Sequence, residues 1–228
     1  MENSDWPKAV LFDLDGTLID SVPDLAAAVN KVLEENGHPP LETGEVRTMI
    51  GHGVGKLVER AFAARQVSLS DEGLTPLVDR MMHFYMADLT GGTTLLPGAR
   101  TTLTANCRNS VKTGIITNKP QQATDGIVAH FELGACLDVV LGGDSVPNKK
   151  PHPDLVLTAL AKLGVSPEDA LVVGDSAADV GAARAAGVKV IIVEGGYTNE
   201  TAEGLGADGA ITTLADLPEA VSRLRSNN

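Results

Sequence analysis

Two carboxylates directly follow the first apolar run of the chain. Asp13 and Asp15 stand two positions apart after residues 9–12, so an extended backbone projects both to one side, and Gly16 permits a tight turn beyond them. Such a pair can bind a cation or share nucleophilic and acid–base work. A solvated turn and a calcium loop are the alternatives; an EF-hand loop from Asp13 requires Asp or Asn at position 17 and Glu at 24, where the chain has Thr17 and Asp24.

A second acidic pair follows a later apolar run. Asp175 and Asp179 are four positions apart, a spacing that places both on one face of a helix. Capping of that helix by Asp175 is the structural alternative. If both pairs meet at one sheet edge, their carboxylates repel each other unless a hard cation lies among them, and oxygen ligands are those that Mg²⁺ prefers. The two pairs together predict a magnesium site.

Two other segments carry side chains that can bind an anion. Thr117 and Asn118 follow one apolar run, while Lys149 and Lys150 precede a proline-rich turn. Hydroxyl, amide and ammonium groups beside a magnesium ion are those that stabilise the oxygens of a phosphoryl group in transfer. This combination indicates phosphoryl chemistry.

The elements that must position these residues alternate along the chain. Apolar, β-branched runs predict buried parallel strands at 8–12, 111–116, 139–141, 170–173, 188–193 and 209–211. Helical patterns lie between most of them, at 121–130, 153–163, 176–186 and 214–224. We therefore expect an α/β fold with a Rossmann-like parallel sheet and a ligand crevice at the carboxyl ends of its strands.

One interval lacks strand patterns and predicts an inserted helical domain. Four helical patterns occur near 23–36, 43–50, 54–65 and 71–88. The predicted domains are accordingly a core of residues 1–21 and 92–228 and a helical insert of residues 22–91.

Composition narrows the classes of partner. The 228 residues carry 18 Lys plus Arg and 30 Asp plus Glu, a formal charge of −12, which argues against nucleic acid and anionic membranes as partners.

Neither a signal peptide nor an apolar stretch of membrane-spanning length is evident, so we expect a soluble cytoplasmic protein. Cys107 and Cys136 are too few for a disulfide framework, and we expect buried thiols without a chemical role.

The order FDLDGT, ITN, KKP, GDSAAD resembles the four-part signature of the haloacid dehalogenase superfamily of phosphatases over nearly the whole chain. The helical insert resembles the C1-type cap of that superfamily. DLDGTLIDSVPDL and IGHGVGKLVERAF are further similar to phosphoglycolate phosphatases, which hydrolyse 2-phosphoglycolate to glycolate and phosphate. The resemblance therefore implies a Mg²⁺-dependent phosphatase acting on a small anionic phosphomonoester.

The resemblance also implies a role for each motif residue. Asp13 attacks phosphorus and forms an aspartyl phosphate, while Asp15 protonates the leaving oxygen and later accepts a proton from water. Thr117 and the backbone N–H of Asn118 hold phosphoryl oxygens, and Lys150, which adjoins a proline, offsets the negative charge.

The metal ligands that the resemblance implies come from two of the motifs, FDLDGT and GDSAAD. Mg²⁺ is bound by Asp13, Asp175 and the backbone carbonyl of Asp15. Asp179 binds the ion directly or holds one of its waters.

The insert supplies candidates for binding the substrate. Lys56 and Arg60 are one helical turn apart, with His52 and Arg47 nearby, and glycines precede this helix, whose N-terminus favours an anion. An exposed helix face with scattered charges is the structural alternative. The chain is expected to act as a monomer or homodimer.

Other activities of the same chemistry stay open. A phosphosugar mutase of the β-phosphoglucomutase type carries a His twelve residues after the nucleophile, where this chain has Leu25. A pyrophosphatase or a broad sugar-phosphate phosphatase differs only in cap contacts. A phospho-aspartate switch or a binding module is an alternative from a different class; neither requires the helical insert, so the presence of the insert argues against them.

Overall fold

A computed structural model of the protein describes residues 6–198 and 200–226. The strands are β1 (Ala9–Phe12), β2 (Ile19–Asp20), β3 (Thr94–Leu95), β4 (Lys112–Ile116), β5 (Val139–Leu141), β6 (Ala170–Gly174), β7 (Lys189–Val193) and β8 (Gly209–Ile211). The α-helices are α1 (Val22–Glu35), α2 (Thr43–Arg47), α3 (Val54–Ala63), α4 (Asp71–Ala87), α5 (Ala99–Arg108), α6 (Gln121–His130), α7 (Asp154–Leu163), α8 (Ala177–Ala186), α9 (Ala202–Leu205) and α10 (Leu217–Ser226).

The chain forms two compact units. The larger comprises the residues up to Ile19 together with those from Leu95 onward, and the smaller runs from Asp20 to Thr94. The insert predicted at 22–91 begins two residues later and ends three residues earlier than the smaller unit. The short strands β2 and β3, which pair with each other, contain both boundaries.

The larger unit is built on a six-stranded sheet in the order β5-β4-β1-β6-β7-β8. Every adjacent pair is parallel, and Phe12 of central β1 aligns with Ile115 on one side and Val173 on the other. Chain order proceeds outward to β4 and β5 on one side of β1 and to β6, β7 and β8 on the other. This reversal leaves a crevice at the carboxyl ends of β4, β1 and β6. The predicted parallel α/β fold is confirmed.

Both faces of the central strands are covered, and the residues of these strands are mostly apolar. All four residues of β1 are buried. On one face, Leu11, Val172 and their neighbours pack with α7 and the alanine-rich α8. On the other, Val10 lies with residues of α5 and α10 around a cavity of about 420 Å³. Burial on both faces explains why these strands read as continuous apolar runs.

The smaller unit consists of helices α1 to α4, and α4 packs on α1 and α3. A buried carboxylate ties its two ends together: Asp24 of α1 accepts hydrogen bonds from the N–H groups of Gly92 and Thr93, both at 2.7 Å, and from Thr93 Oγ1 at 2.5 Å. Every acceptor oxygen of this buried group therefore has a donor, as burial of a charge requires.

Several sequence expectations fail locally. The sequence patterns did not reveal α5, α9, β2 or β3, and the helix predicted at 214–224 begins as a 3₁₀ turn before α10. The thiols are not buried as expected: Cys107 is exposed and Cys136 partly exposed. Across the described part of the chain, no helix combines the length and apolar character needed to span a membrane.

Candidate active site

The first pair of carboxylates lies where β1 leaves the sheet. The N–H of Asp13 extends the ladder by donating to Val173 O of β6 at 2.8 Å. Leu14, between the two acids, is fully buried, while Asp13 is 6% exposed. Gly16 then turns the chain with a φ of 85°, a left-handed conformation that favours glycine. The predicted strand-and-turn geometry therefore directs Asp13 and Asp15 to the crevice.

A buried lysine neutralises part of the acidic charge. Nζ of Lys150 lies 2.6 Å from Asp179 Oδ1, 2.9 Å from Asp13 Oδ1 and 2.9 Å from the carbonyl oxygen of Ile116. Burial alone lowers the pKa of Lys150, but the two carboxylates outweigh burial and hold that pKa above its usual value. The contact with Asp13 lies outside hydrogen-bond geometry, so Asp13 Oδ1 stays a buried acceptor without a hydrogen bond among the described residues.

The loop that carries Lys150 is fixed by an amide side chain. Asn118 Oδ1 accepts from the Lys150 N–H at 2.9 Å, and Asn118 Nδ2 donates to the Lys150 carbonyl at 3.0 Å. Lys149, the neighbouring lysine of the same loop, is exposed. The side chain of Asn118 thus aligns Lys150 with the site, a function that the sequence did not suggest for this residue.

The second acidic pair opens α8, but the cap of this helix is Ser176 rather than Asp175. Ser176 and Asp179 form a capping box in which Asp179 Oδ2 accepts from the backbone N–H of Ser176 at 3.1 Å. The same oxygen also accepts from Ser176 Oγ at 2.6 Å. Asp175 Oδ2 accepts from the N–H of Tyr197 at 2.6 Å. The structural alternative, in which Asp175 caps the helix, is therefore wrong. The carboxylate of Asp175 points to the crevice side of the sheet edge.

Asp175 is enclosed by glycines. A Cβ added at Gly16 would lie 2.3 Å from Asp175 Oδ2, and one added at Gly196 would lie 2.5 Å from the same oxygen. These distances are far below van der Waals contact. The backbone approaches Asp175 so closely that only glycine fits at these positions.

Three carboxylates converge at this place. Asp13, Asp175 and Asp179 each offer an oxygen, and these oxygens lie within 4.8 Å of one another. Burial, together with the charge of Asp179, raises the pKa of Asp13 to about 6, although Lys150 opposes the rise. Burial, followed by the charges of Asp179 and Asp13, raises the pKa of Asp175 well above its usual value. Repulsion among buried anions is what a bound cation relieves.

This donor set fits a hard divalent cation. Three buried carboxylates face one ammonium, Lys150, which leaves an excess of negative charge, and all the side-chain donors are oxygens. Carboxylate oxygens are the ligands that Mg²⁺ takes in proteins. The side chain of Asp15 is not in this group.

The segment after β4 contributes a residue that the sequence analysis missed. Nζ of Lys119 lies 2.8 Å from both carboxylate oxygens of Asp15, and the lysine side chain is 2% exposed. Thr117, which is buried, accepts the Lys119 N–H through Oγ1 at 3.2 Å. The signal available in the sequence was a lysine two positions after Thr117 at a strand end. Its partner could be identified only from the fold.

The candidate residues of the smaller unit have partners within that unit. Arg47 donates to Asp20 at 2.8 Å. Lys56 pairs with Glu59 at 2.8 Å, and Arg60 donates to the carbonyl of Met49 at 3.0 Å.

His52, the histidine among these candidates, lies near two positively charged side chains. Partial burial, then the charges of Arg60 and Lys56, lowers the pKa of His52. The fold therefore brings His52, Lys56 and Arg60 within electrostatic range of one another.

Comparison with known proteins agrees with this geometry. A family model described as haloacid dehalogenase-like hydrolase matches residues 10–193. The phosphoglycolate phosphatase of Rhodospirillum rubrum is 39% identical over 215 residues, covering 92% of this chain and 89% of that protein. Phosphoglycolate phosphatase 1 of Pseudomonas aeruginosa is 41% identical over 195 residues, covering 85% and 71%. The crystal structure of a predicted phosphoglycolate phosphatase from Haemophilus somnus matches with a TM-score of 0.85 and 30% identity, covering 93% of this chain and 96% of that one.

Proposed function

The chain belongs to the haloacid dehalogenase-like hydrolase family and is a phosphatase, and on that premise we propose that it hydrolyses 2-phosphoglycolate to glycolate and phosphate with Mg²⁺. The observation that carries the proposal is the buried carboxylate of Asp13 among Lys150, Asp175 and Asp179. The names of two relatives with about 40% identity over most of the chain support the choice of substrate.

The first half of the reaction transfers the phosphoryl group to the protein. An oxygen of Asp13 bonds to phosphorus while the bond from phosphorus to the leaving oxygen breaks, and Asp15 gives its proton to that oxygen. In the second half, Asp15 takes a proton from water, the water oxygen bonds to phosphorus, and the bond to Asp13 breaks. Two moderate displacements thereby replace one difficult displacement.

The surrounding groups stabilise the phosphoryl oxygens in both halves. Thr117 and the N–H of Asn118 follow β4, and the Lys150 ammonium lies beside Asp13. Asp13, Asp175 and the backbone carbonyl of Asp15 would hold Mg²⁺, and Asp179 would bind the ion directly or hold one of its waters; when bound, the ion would supply positive charge to these oxygens. Donors already fixed in a buried site lower the barrier because they need not reorganise.

We assign substrate specificity to the smaller unit as a cap. Of its four candidate residues, Lys56 and Arg60 place positive charge near His52, which suits an anionic substrate, although Lys56 also pairs with Glu59. Arg47 instead pairs with Asp20. The cytoplasmic location and the monomeric or homodimeric state stay predictions from the sequence.

A substrate panel tests this function. Steady-state rates are measured with Mg²⁺ on 2-phosphoglycolate, glucose 1-phosphate and pyrophosphate. We expect the highest kcat/KM for 2-phosphoglycolate, and its loss in Asp13→Asn but not in the control Asp79→Asn, which changes an exposed acid of α4. Preference for glucose 1-phosphate or pyrophosphate would contradict the assignment of the substrate, and full activity of Asp13→Asn would contradict the covalent mechanism.

A further inference from the structure

The ammonium of Lys119 is held in one place from two directions. Its backbone is fixed because the N–H donates to Thr117 Oγ1 at 3.2 Å and the carbonyl accepts from Gly143 N–H at 2.8 Å. Its side chain is 2% exposed and ends on both oxygens of Asp15 at 2.8 Å. Burying a lysine costs free energy unless its charge is paired, so this ammonium needs an anionic partner throughout the reaction.

This position lies on the leaving-group side of the reaction. In the proposed function, Asp15 exchanges a proton with the leaving oxygen and must come within about 2.7 Å of it. Nζ of Lys119 is 2.8 Å from the same carboxylate. In 2-phosphoglycolate the carboxylate oxygens are three bonds from the leaving oxygen, a separation of roughly 3 Å from ordinary bond lengths. An ammonium that contacts Asp15 is thus within reach of the carboxylate of the bound substrate.

Lys119 differs in this respect from the other buried lysine. Lys150 contacts Asp13 and Asp179, on the side of the nucleophile and the metal ligands. Lys119 instead forms an ion pair with Asp15, the acid proposed to protonate the leaving oxygen. The two lysines therefore divide the charge of the substrate, with Lys150 toward the phosphoryl group and Lys119 toward the leaving group.

We propose that Lys119 is a specificity-determining residue that binds the carboxylate of the substrate beside the leaving oxygen. On binding, Lys119 exchanges one of its two hydrogen bonds to Asp15 for a charge-assisted hydrogen bond to this carboxylate. The inference rests on the proposed function and deepens it, because it names a second anionic group of the substrate, the carboxylate, that the core unit recognises. The substrate class is then a phosphomonoester of a short α-hydroxy acid.

The test compares two substrates that differ in one group. For each protein variant, kcat/KM is measured for 2-phosphoglycolate and for its neutral amide, in which the carboxylate is replaced by a carboxamide. Lys119→Met removes the ammonium, and Lys119→Arg keeps the positive charge. Lys112→Met serves as the matched control because Lys112 is an exposed lysine at the start of the same strand, β4.

We expect the wild type to prefer the acid, and Lys119→Met to lower the ratio of the two kcat/KM values about 30-fold or more, as loss of a charge-assisted hydrogen bond does. Lys119→Arg keeps most of the ratio, and Lys112→Met keeps all of it. An equal loss on both substrates overturns the inference, because a lysine that only orients Asp15 affects both alike.

The outcomes separate this inference from the proposed function. If the wild type hydrolyses both compounds at equal kcat/KM, the phosphatase proposal stands and the inference on Lys119 fails, even if Lys119→Met does not fold. If the wild type hydrolyses neither, the proposed function fails and takes the inference with it. Thermal unfolding of each variant establishes that it is folded at the assay temperature.

Discussion

The Nζ atom of Lys150 lies 2.9 Å from Oδ1 of Asp13, with both side chains buried. This pairing places a permanent positive charge against the carboxylate proposed to attack phosphorus. Since Lys150 also contacts Asp179 at 2.6 Å, one ammonium pairs with two of the three clustered acids but offsets only one negative charge. The charge that remains is what the proposed metal ion neutralises.

Replacement of Lys150 tests this balance. Lys150→Met leaves three buried carboxylates without their cation, and we expect kcat/KM to fall roughly 10³-fold, at the upper end of what one electrostatic donor contributes. Stability should fall by about 3 kcal/mol because a buried ion pair loses one partner. The measurements are steady-state kinetics and thermal unfolding, with Lys162→Met, an exposed lysine of α7, as the control. Near-wild-type activity of Lys150→Met would refute the role of this lysine.

The dependence of stability on pH tests the repulsion among the acids. Asp13 has its pKa raised from 3.8 to about 6 in the metal-free protein. A carboxyl whose pKa is raised by folding stabilises the fold below its unfolded pKa, and this contribution is lost as pH rises through the folded value. From pH 4 to above pH 6 the loss corresponds to roughly 3 kcal/mol.

Magnesium should reverse this loss. We expect the rise in Tm on replacing EDTA with Mg²⁺ to be larger at pH 7.5 than at pH 5, because the ionised carboxylates bind the cation and the protonated ones do not. Thermal unfolding at both pH values, with and without the ion, measures the difference. An equal or smaller shift at pH 7.5 would speak against a metal at Asp13, Asp175 and Asp179.

Gly196 tests the placement of Asp175 without changing any charged group. In Gly196→Ala the added Cβ would lie 2.5 Å from both Cβ and Oδ2 of Asp175, so the carboxylate must move. We expect the Kd for Mg²⁺, measured by isothermal titration calorimetry, to increase 10-fold or more. Gly44→Ala is the control, because its Cβ meets no atom within 4 Å. Unchanged affinity in Gly196→Ala would show that Asp175 need not occupy its present position.

Replacement of Asp24 tests whether its hydrogen bonds, which join the two ends of the smaller unit, stabilise the fold. Asp24→Ala leaves the N–H groups of Gly92 and Thr93 without their acceptor, and we expect a loss of about 3 kcal/mol in the free energy of unfolding. Chemical denaturation monitored by circular dichroism measures it. Glu34→Ala, an exposed acid of the same helix, should change stability by less than about 0.5 kcal/mol. A similar small change in Asp24→Ala would contradict the structural role of this carboxylate.

The sequence predicted best those elements whose pattern is local. The core strands are buried on both faces, so their apolar runs are continuous and their bounds agree with the prediction to within one or two residues. Helix α5 escaped prediction because its sequence, ARTTLTANCR, is largely polar and buries only Ala99, Thr102 and Leu103. Packing against the sheet, rather than intrinsic propensity, stabilises this helix.

The position of site residues was predictable from the sequence where a motif directly follows a strand. The pairing of side chains that are distant in the sequence was not predictable. Asp13, Asp175 and Asp179 converge as parallel-sheet topology requires. In contrast, Lys119 and Asp15 are 104 positions apart, so no local pattern could indicate their pairing. The same holds for Asp24, whose acceptor role depends on residues 68 and 69 positions away.

Trapping of the phosphorylated protein tests the central claim most directly. The enzyme is mixed with 2-phosphoglycolate and Mg²⁺, quenched with acid during turnover, reduced with borohydride and digested for mass spectrometry. Because an acyl phosphate is reduced to an alcohol, we predict conversion of the Asp13 side chain to a hydroxyethyl group only when substrate and Mg²⁺ are both present. Modification at another acid, or none at Asp13 while substrate is consumed, would contradict the account.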